Sequence, residues 1–491
     1  MSETSRSPLT KESVAGDYRV VRDYRIAYQS RQASLIGRRE VFTGKGKFGI
    51  FGDGKEVAQV ALARAFRPGD YRSGYYRDQT LMMALGLLTL EQFFAQLFAD
   101  PEIEREPCSA GRSMNAHFST CMLNPDGSFK TLVDQFNVAA DVSPTGSQMP
   151  RLAGLAYASK LYRELPELSA MAERFSRHGD EVAFGTIGNA SCAEGMFWET
   201  INAVGVLQAP MLMSIWDDGY GISVPNEIQV TKGDLSAILS GFQREAGSRQ
   251  GYDLYAVKGW DYAALCETYL SAVQIVRREH VPAIVHVTEM TQPQGHSTSG
   301  SHERYKSKER LDWETEFDPV RKMRQWLIDE GIATAQELDA YEEEDLRIVR
   351  EARRRAWDEF REPIEAEKRE ALGLLDALAG SMKEPGEVVK LRRDLEKQPS
   401  ALRRDLLVAV HGALLAMRGD ALPAARRLAE WKQRMVGENE ERYGSHLYSQ
   451  GPRSALAIPP VPAVYREDSP VLNGFEVVNA CFDSALGRNP N

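Results

Sequence analysis

The spacing of apolar positions changes several times along the chain. Between residues 14 and 105 they recur every three to four positions, and KEVAQVALARAF (55–66) and LEQFFAQLFAD (90–100) each predict a helix. FRPGDY lies between them as a turn, broken by Pro68 and Gly69. Residues 106–150 are rich in small residues and predict loops, ending in SPTGSQMP. From about 151 to 290 helical patterns alternate with short apolar runs. PRLAGLAYASKLYREL and CAEGMFWETINAVGVL predict helices, whereas EVAFGTIG (181–188), APMLMSIW, YAVKG and PAIVHVTEM predict strands. This alternation predicts an α/β fold, a mainly parallel sheet with helices on both faces.

Beyond residue 310 the pattern is helical and heavily charged. Leu346, Val349, Ala356 and Phe360 mark one apolar stripe, which predicts a solvated helix packed on a domain or a partner. PRSALAIPPVPAVYREDSP reads as an extended, proline-rich linker, after which NGFEVVNACFDSALGRNPN opens a new helix. The predicted organisation is an N-terminal helical region (1–105), an α/β core (106–310), a helical C-terminal extension (311–450), and a linker with a further segment (451–491).

Composition narrows the function without identifying it. A chain of 491 residues predicts two or three units. Its net charge of -10 argues against a nucleic-acid partner. Cys108, Cys121, Cys192, Cys266 and Cys481 are scattered and odd in number, which predicts reduced thiols and a cytoplasmic setting. MSETSRSPLTKES has no apolar signal core, and no apolar run is long enough to predict a membrane span.

The chemistry concentrates around SIWDDGYGISVP (214–225), where Asp217 and Asp218 follow a predicted buried strand. Carboxylates there are costly to desolvate unless a cation or a donor meets them. Strand EVAFGTIG, turn NAS, a helix and strand APMLMSIW form a βαβ unit. Its strand ends would bring Asn189 and Asp218 to one crevice, where ligands of such sheets sit. Gly188 permits close approach. An amide, a carboxylate and a backbone carbonyl are hard oxygen ligands that suit magnesium and its phosphates. A helix cap and a turn account for each half of this pattern equally well.

At these residues the chain resembles the alpha subunit of the thiamine diphosphate-dependent decarboxylating component of 2-oxo acid dehydrogenase complexes, nearest the branched-chain type. The collinear segments are FRPGDYRSGYYRDQTLMMALG, GRSMNAHF, SPTGSQMPRLAGLAYASKL, IGNASCAEGMFWETINAVGVLQAPMLM and GHSTSGSHERY. The resemblance implies the thiamine diphosphate-binding fold and oxidative decarboxylation of a 2-oxo acid of the 3-methyl-2-oxobutanoate type, the acyl group passing to a lipoyllysine. It implies that Tyr76 and Arg77 contact the diphosphate and that Ser143 and Thr145 lie near the aminopyrimidine. Gly188 and Ala190 would border the diphosphate. Asn189, Asp218 and the Tyr220 carbonyl would ligate magnesium, and His296 would be the catalytic histidine. Ser147, Gln148 and the Pro144 carbonyl match a potassium site, in which Val142 is a departure.

The implied partners are a beta subunit or fused beta region that supplies an activating glutamate, and the lipoyl domain of the acyltransferase component, in an α2β2 or fused-dimer assembly. VLNGFEVVNACFDSALGRNPN resembles the opening of such a beta region. Relative to the family pattern, acid and amide are exchanged between 189 and 218, Asp217 is an additional acid, and Trp216 stands where an arginine can occur. Pyruvate and acetoin are alternative substrates. A cofactor-free paralogue that binds a partner subunit is the alternative class.

Overall fold

The computed structural model describes residues 19–417, 422–444, 454–462, 464 and 466–488. The chain divides into two compact units, Met1–Ser445 and His446–Asn491.

The first unit is built on a six-stranded parallel sheet. Its strands are β1 (Tyr71–Ser73), β2 (Asn137–Val138), β3 (Ala183–Gly188), β4 (Met211–Trp216), β5 (Asp253–Lys258) and β6 (Ala283–Thr288). They lie in the order β2-β1-β3-β4-β6-β5, and every pairing is parallel. The helices that position the site are α1 (Arg19–Phe42), α2 (Glu56–Ala63), α3 (Gln148–Glu164), α4 (Gly195–Leu207) and α5 (Tyr262–Glu279).

Strand β4 shows why the sheet is covered on both sides. Met211, Met213 and Ile215 join a cluster with Leu152 of α3 and Phe197 and Ile201 of α4. Leu212 and Trp216 point the other way, into a cluster with Val57 of α2 and Leu265 of α5. The period of two along a strand sends alternate side chains to opposite layers. With both faces covered, the run must be apolar throughout, which is the pattern the sequence carries. Ser214 is the polar exception, and its hydroxyl meets that of Tyr269 on α5 at 2.6 Å.

The strands of the core begin before residue 106, because β1 lies at 71–73. The loop-rich stretch 106–150 also supplies β2, at the sheet edge.

The C-terminal part of the first unit is helical: α6 (Ala335–Ser381), α7 (Gly386–Lys397), α8 (Arg403–Ala416) and α9 (Pro423–Tyr443). Helix α6 opens with a capping box in which Thr334 and Glu337 satisfy each other's backbone N–H groups. Its predicted stripe is buried against this same unit, with Val349, Ala356 and Phe360 packing on Phe93, Phe94 and Phe98. Farther along, Leu375 and Leu378 join Val410 of α8 and Leu428 and Trp431 of α9 in a separate apolar cluster. The second unit carries helix α10 (Gly474–Arg488), on which Phe475, Val478, Phe482 and Leu486 are exposed. No helix among the described residues is long and apolar enough to cross a membrane.

Candidate active site

The chain leaves β1 toward β2 on one side of the sheet and leaves β3 toward β4 on the other. Crevices beyond the carboxyl ends of strands at such a reversal are the usual ligand sites of open α/β sheets. A cavity of about 360 Å³ lies there. Tyr75, Tyr76 and Arg77 enter it after β1, Gly188 to Ser191 after β3, and Trp216, Asp218 and Tyr220 from the end of β4 onward. Of the residues singled out in the sequence, Tyr76, Arg77, Thr145, Gly188, Asn189, Ala190, Asp218, Tyr220 and His296 all line it. Ser143 does not. Its hydroxyl bonds His117 Nε2 at 2.9 Å, and the His117 ring stacks against Tyr76.

Arg77 is buried and ties the β1 loop to the histidine loop. Its Nη1 donates to the Phe51 carbonyl at 2.6 Å. Its Nη2 reaches both the His296 carbonyl at 2.9 Å and His296 Nδ1 at 3.0 Å. A guanidinium only donates, so Nδ1 must accept and the imidazole carries its proton on Nε2. Burial, with Arg77 alongside, pushes the His296 pKa down to about 4. His296 is therefore a neutral Nε2–H donor in the cavity wall.

Lys55 is the residue that sequence reasoning missed. FGDGK reads locally as a turn before a helix, yet it delivers Lys55 into the cavity wall. A Cβ on Gly54 would lie 2.0 Å from the Thr291 carbonyl oxygen, and φ there is +86°, so the turn packs tightly under that strand exit. The glycines around Asp53 were the available signal. Lys55 Nζ donates to Asp218 Oδ2 at 2.7 Å, Gln292 Oε1 at 2.6 Å and the Thr291 carbonyl at 2.9 Å. The Gln292 amide is oriented by its own Nε2, which donates to the Asp53 carbonyl at 3.2 Å. Three acceptors require three hydrogens, so the amine is an ammonium. Burial works against that charge, and Asp218 opposes the effect. Burial alone would raise the Asp218 carboxyl, but Lys55, with Lys306 and Arg77 behind it, holds it below the usual carboxylate range.

Asp217 acquires a role. Its Oδ2 lies 3.0 Å from His286 Nε2, its oxygens accept from Asn226 Nδ2 at 3.0 and 3.2 Å, and Oδ1 caps the Gly219 N–H at 2.8 Å. On its far side His286 Nδ1 meets the Ser236 hydroxyl at 2.7 Å. A carboxylate only accepts, so Asn226 must present its NH₂ group to Asp217 and its oxygen to Asn189. Asn189 Nδ2 accordingly donates to Asn226 Oδ1 at 2.7 Å and to the Tyr220 carbonyl at 3.2 Å. This chain fixes the orientation of the Asn189 amide.

These contacts bear on the expected magnesium ligands. The Tyr220 carbonyl already accepts from Asn189. Asp218 Oδ1 accepts the Tyr220 N–H at 3.1 Å, and Oδ2 is bound by Lys55. Magnesium takes oxygen ligands at ~2.0–2.1 Å, so an ion on Oδ2 would lie within ~5 Å of the ammonium. At an effective dielectric constant of ~20, the repulsion is about 7 kcal/mol, which offsets part of the ion's attraction to the carboxylate. A divalent ion would have to compete with Lys55 for Asp218 and with the Asn189 amide for the Tyr220 carbonyl, so the paired residues fit it poorly. In the expected potassium site the Pro144 carbonyl accepts the Ser147 N–H at 3.2 Å, and Gln148 Nε2 donates to the Thr186 carbonyl at 3.1 Å. Those groups serve the turn into α3.

The diphosphate of an organic cofactor is a different matter. Lys55 and Arg77 are cations in the wall, Gly188 leaves room at the end of β3, and His296 offers an N–H donor. Behind Asp218, Lys306 and Arg310 flank the Tyr220 ring at 5.3 and 5.5 Å, and Arg310 Nη2 donates to the Asp218 carbonyl at 2.7 Å. Lys306 and Arg310 are themselves paired with Glu314, so Arg77 and the His296 N–H are the groups of the lining that fit an anion.

A parallel α/β sheet with a cavity at its switch point places the chain among folds that bind ligands beyond their strand ends. The sequence profile of the dehydrogenase E1 component family matches residues 41–365, and the chain belongs to that family. It is 26% identical over 312 residues to the 2-oxoisovalerate dehydrogenase subunit alpha of Bacillus subtilis, a match that covers 63% of this chain and 82% of that protein. The mitochondrial 2-oxoisovalerate dehydrogenase subunit alpha 1 of Arabidopsis thaliana is 25% identical over 290 residues, 59% of this chain and 52% of that protein. The mitochondrial pyruvate dehydrogenase E1 component subunit alpha of Dictyostelium discoideum is 24% identical over 291 residues, 59% of this chain and 65% of that protein. The match thus spans little more than half the length of the Arabidopsis relative.

Proposed function

We propose that the chain is the alpha component of a 2-oxo acid dehydrogenase, that it binds thiamine diphosphate in the β1/β3/β4 cavity, and that its substrate is a branched-chain 2-oxo acid of the 3-methyl-2-oxobutanoate type. The observation that carries the reading is the convergence of Arg77, Lys55 and neutral His296 on one cavity beyond Gly188. Thiamine diphosphate, when bound, supplies the electron sink for loss of carbon dioxide. Arg77 provides positive charge for the diphosphate, and Lys55 cancels the negative charge of Asp218 beside it. His296 stays unprotonated on Nδ1 because Arg77 occupies it, and so presents Nε2–H to an oxygen anion. Trp216 and Tyr75 add aromatic surface to the cavity wall.

A beta subunit, or a fused beta region supplying the activating glutamate, completes the site in an α2β2 or fused-dimer assembly, and a lipoyl domain accepts the acyl group. The exposed apolar face of α10 supports a partner, because Phe475, Val478 and Phe482 have no reason to face solvent. The branched-chain preference is supported by two relatives named for 2-oxoisovalerate, while the Dictyostelium relative keeps pyruvate as the competing substrate.

The test is decarboxylation by the chain assembled with its beta partner, using a panel of 2-oxo acids and an artificial electron acceptor. Turnover of 3-methyl-2-oxobutanoate above pyruvate is expected. Faster turnover of pyruvate would move the assignment within the family. An assembled protein that turns over none of the panel would point to the non-catalytic paralogue.

A further inference from the structure

We infer that this cavity takes the cofactor's diphosphate as a free anion, without a divalent metal, and that the buried Lys55 ammonium is the resident cation of the site. The inference rests on the thiamine diphosphate reading above and goes beyond it by naming the ionic form that binds.

Lys55 is only 1% exposed and makes all three of its hydrogen bonds to oxygen. It is therefore held in place before any ligand arrives. Its position is set by the backbone, because Gly54 lets the turn lie against Thr291 where a side chain could not fit. It neutralises Asp218, which lines the cavity beyond the end of β4. The second oxygen of that carboxylate belongs to the Tyr220 N–H. The Tyr220 carbonyl faces the NH₂ of Asn189, and the Asp217–Asn226 chain prevents that amide from turning its oxygen to the carbonyl's position. Two of the three groups that could have gripped a metal, the Asp218 carboxylate and the Tyr220 carbonyl, are thus already paired.

The Arg77 charge and the free N–H of His296 are suited to an anion. Arg77 lies on the same wall, and His296 Nε2–H makes no hydrogen bond to the described residues. A lysine ammonium is a compact point charge that needs no particular phosphate geometry to attract it.

The test is calorimetric titration of thiamine diphosphate into the full chain with its beta partner, once with EDTA and once with magnesium chloride. The Lys55→Gln variant is run alongside. The wild type is expected to bind with affinities that agree within about threefold in the two buffers, and Lys55→Gln to lose metal-free binding by at least about tenfold. In the variant magnesium is expected to restore binding, because the Asp218 carboxylate is freed. A wild-type affinity about tenfold tighter with magnesium overturns the inference and leaves the proposed function standing. Metal-free binding by Lys55→Gln as tight as that of the wild type overturns it as well. Absence of binding in both buffers overturns the inference and the thiamine diphosphate reading together. The wild-type comparison does not depend on whether the variant folds.

Discussion

The carboxyl ends of β1, β3 and β4 and the helical extension from α6 to α9 are both dense in charge, but the charges serve different ends. Around the cavity they are buried and paired. Arg72 sits between Asp78 at 2.6 Å and Asp141 at 3.0 Å, all three with side chains fully shielded, and Lys55 meets Asp218 at 2.7 Å. In the extension the pairs lie in water. Arg434 and Glu370 meet at 2.7 Å with about half of each side chain exposed, and cohesion there comes from the cluster of Leu375, Val410, Leu428 and Trp431. A buried pair is costly to assemble and costly to break, so it holds a loop in one position. An exposed pair keeps an amphipathic helix soluble and contributes little else. The cavity region is built for position and the extension for burial.

The sharpest way to break this comparison is to remove one partner of a fully shielded cluster. Arg72→Met is expected to destabilise the first unit by ~3–5 kcal/mol, because it leaves two acids unpaired. Urea unfolding measures this, and a loss below ~1 kcal/mol would remove the distinction between the regions. In the extension Leu428→Ala is expected to cost about 3 kcal/mol by opening the apolar cluster, while thiamine diphosphate binding by the folded protein stays unchanged in a parallel titration.

Acid separates the regions next. Burial lowers the pKa of His296 to about 4, with Arg77 adding to the effect, and burial also lowers that of His280 to about 4. The unfolded chain takes up protons at these sites before the folded one does. Stability is therefore complete above the ordinary histidine value of 6.5 and is lost as pH falls from there toward about 4. Each histidine contributes about 2–3 kcal/mol to that loss. Thermal unfolding followed across this range should show the decline, and His280→Gln should reduce its slope. The smallest expected effect is that of Arg434→Ala, less than ~1 kcal/mol and smaller still at high salt.

The sequence revealed the fold most clearly where elements are long. The apolar run of β4 and the periods of α3, α4 and α6 could be read directly, because burial on two faces or on one stripe leaves a repeating mark. Strands β1 and β2 left none, since three- and two-residue strands are too short to show a period. Most of the cavity wall was legible as motif residues. Lys55 was not, because Asp218, Thr291 and Gln292 lie far from it in sequence and meet it only once the sheet has formed. The role of Asp217 was hidden for the same reason, since His286 reaches it from a neighbouring strand. Ser143 is a motif residue that lies outside the cavity lining, with its hydroxyl on His117.

Asp218→Asn sharpens the account further. Asparagine restores the family's usual residue but leaves the Lys55 ammonium without its counter-charge, so the variant is expected to be less stable than the wild type in urea. Equal or greater stability would mean that the pair does not govern this wall.

The most direct measurement is a crystal structure of the chain with its beta partner grown with thiamine diphosphate. The account predicts density for the diphosphate beyond Gly188, within hydrogen-bond reach of Arg77 and His296, with Lys55 still on Asp218. A cofactor bound elsewhere, or an empty β1/β3/β4 cavity at saturating cofactor, would contradict it.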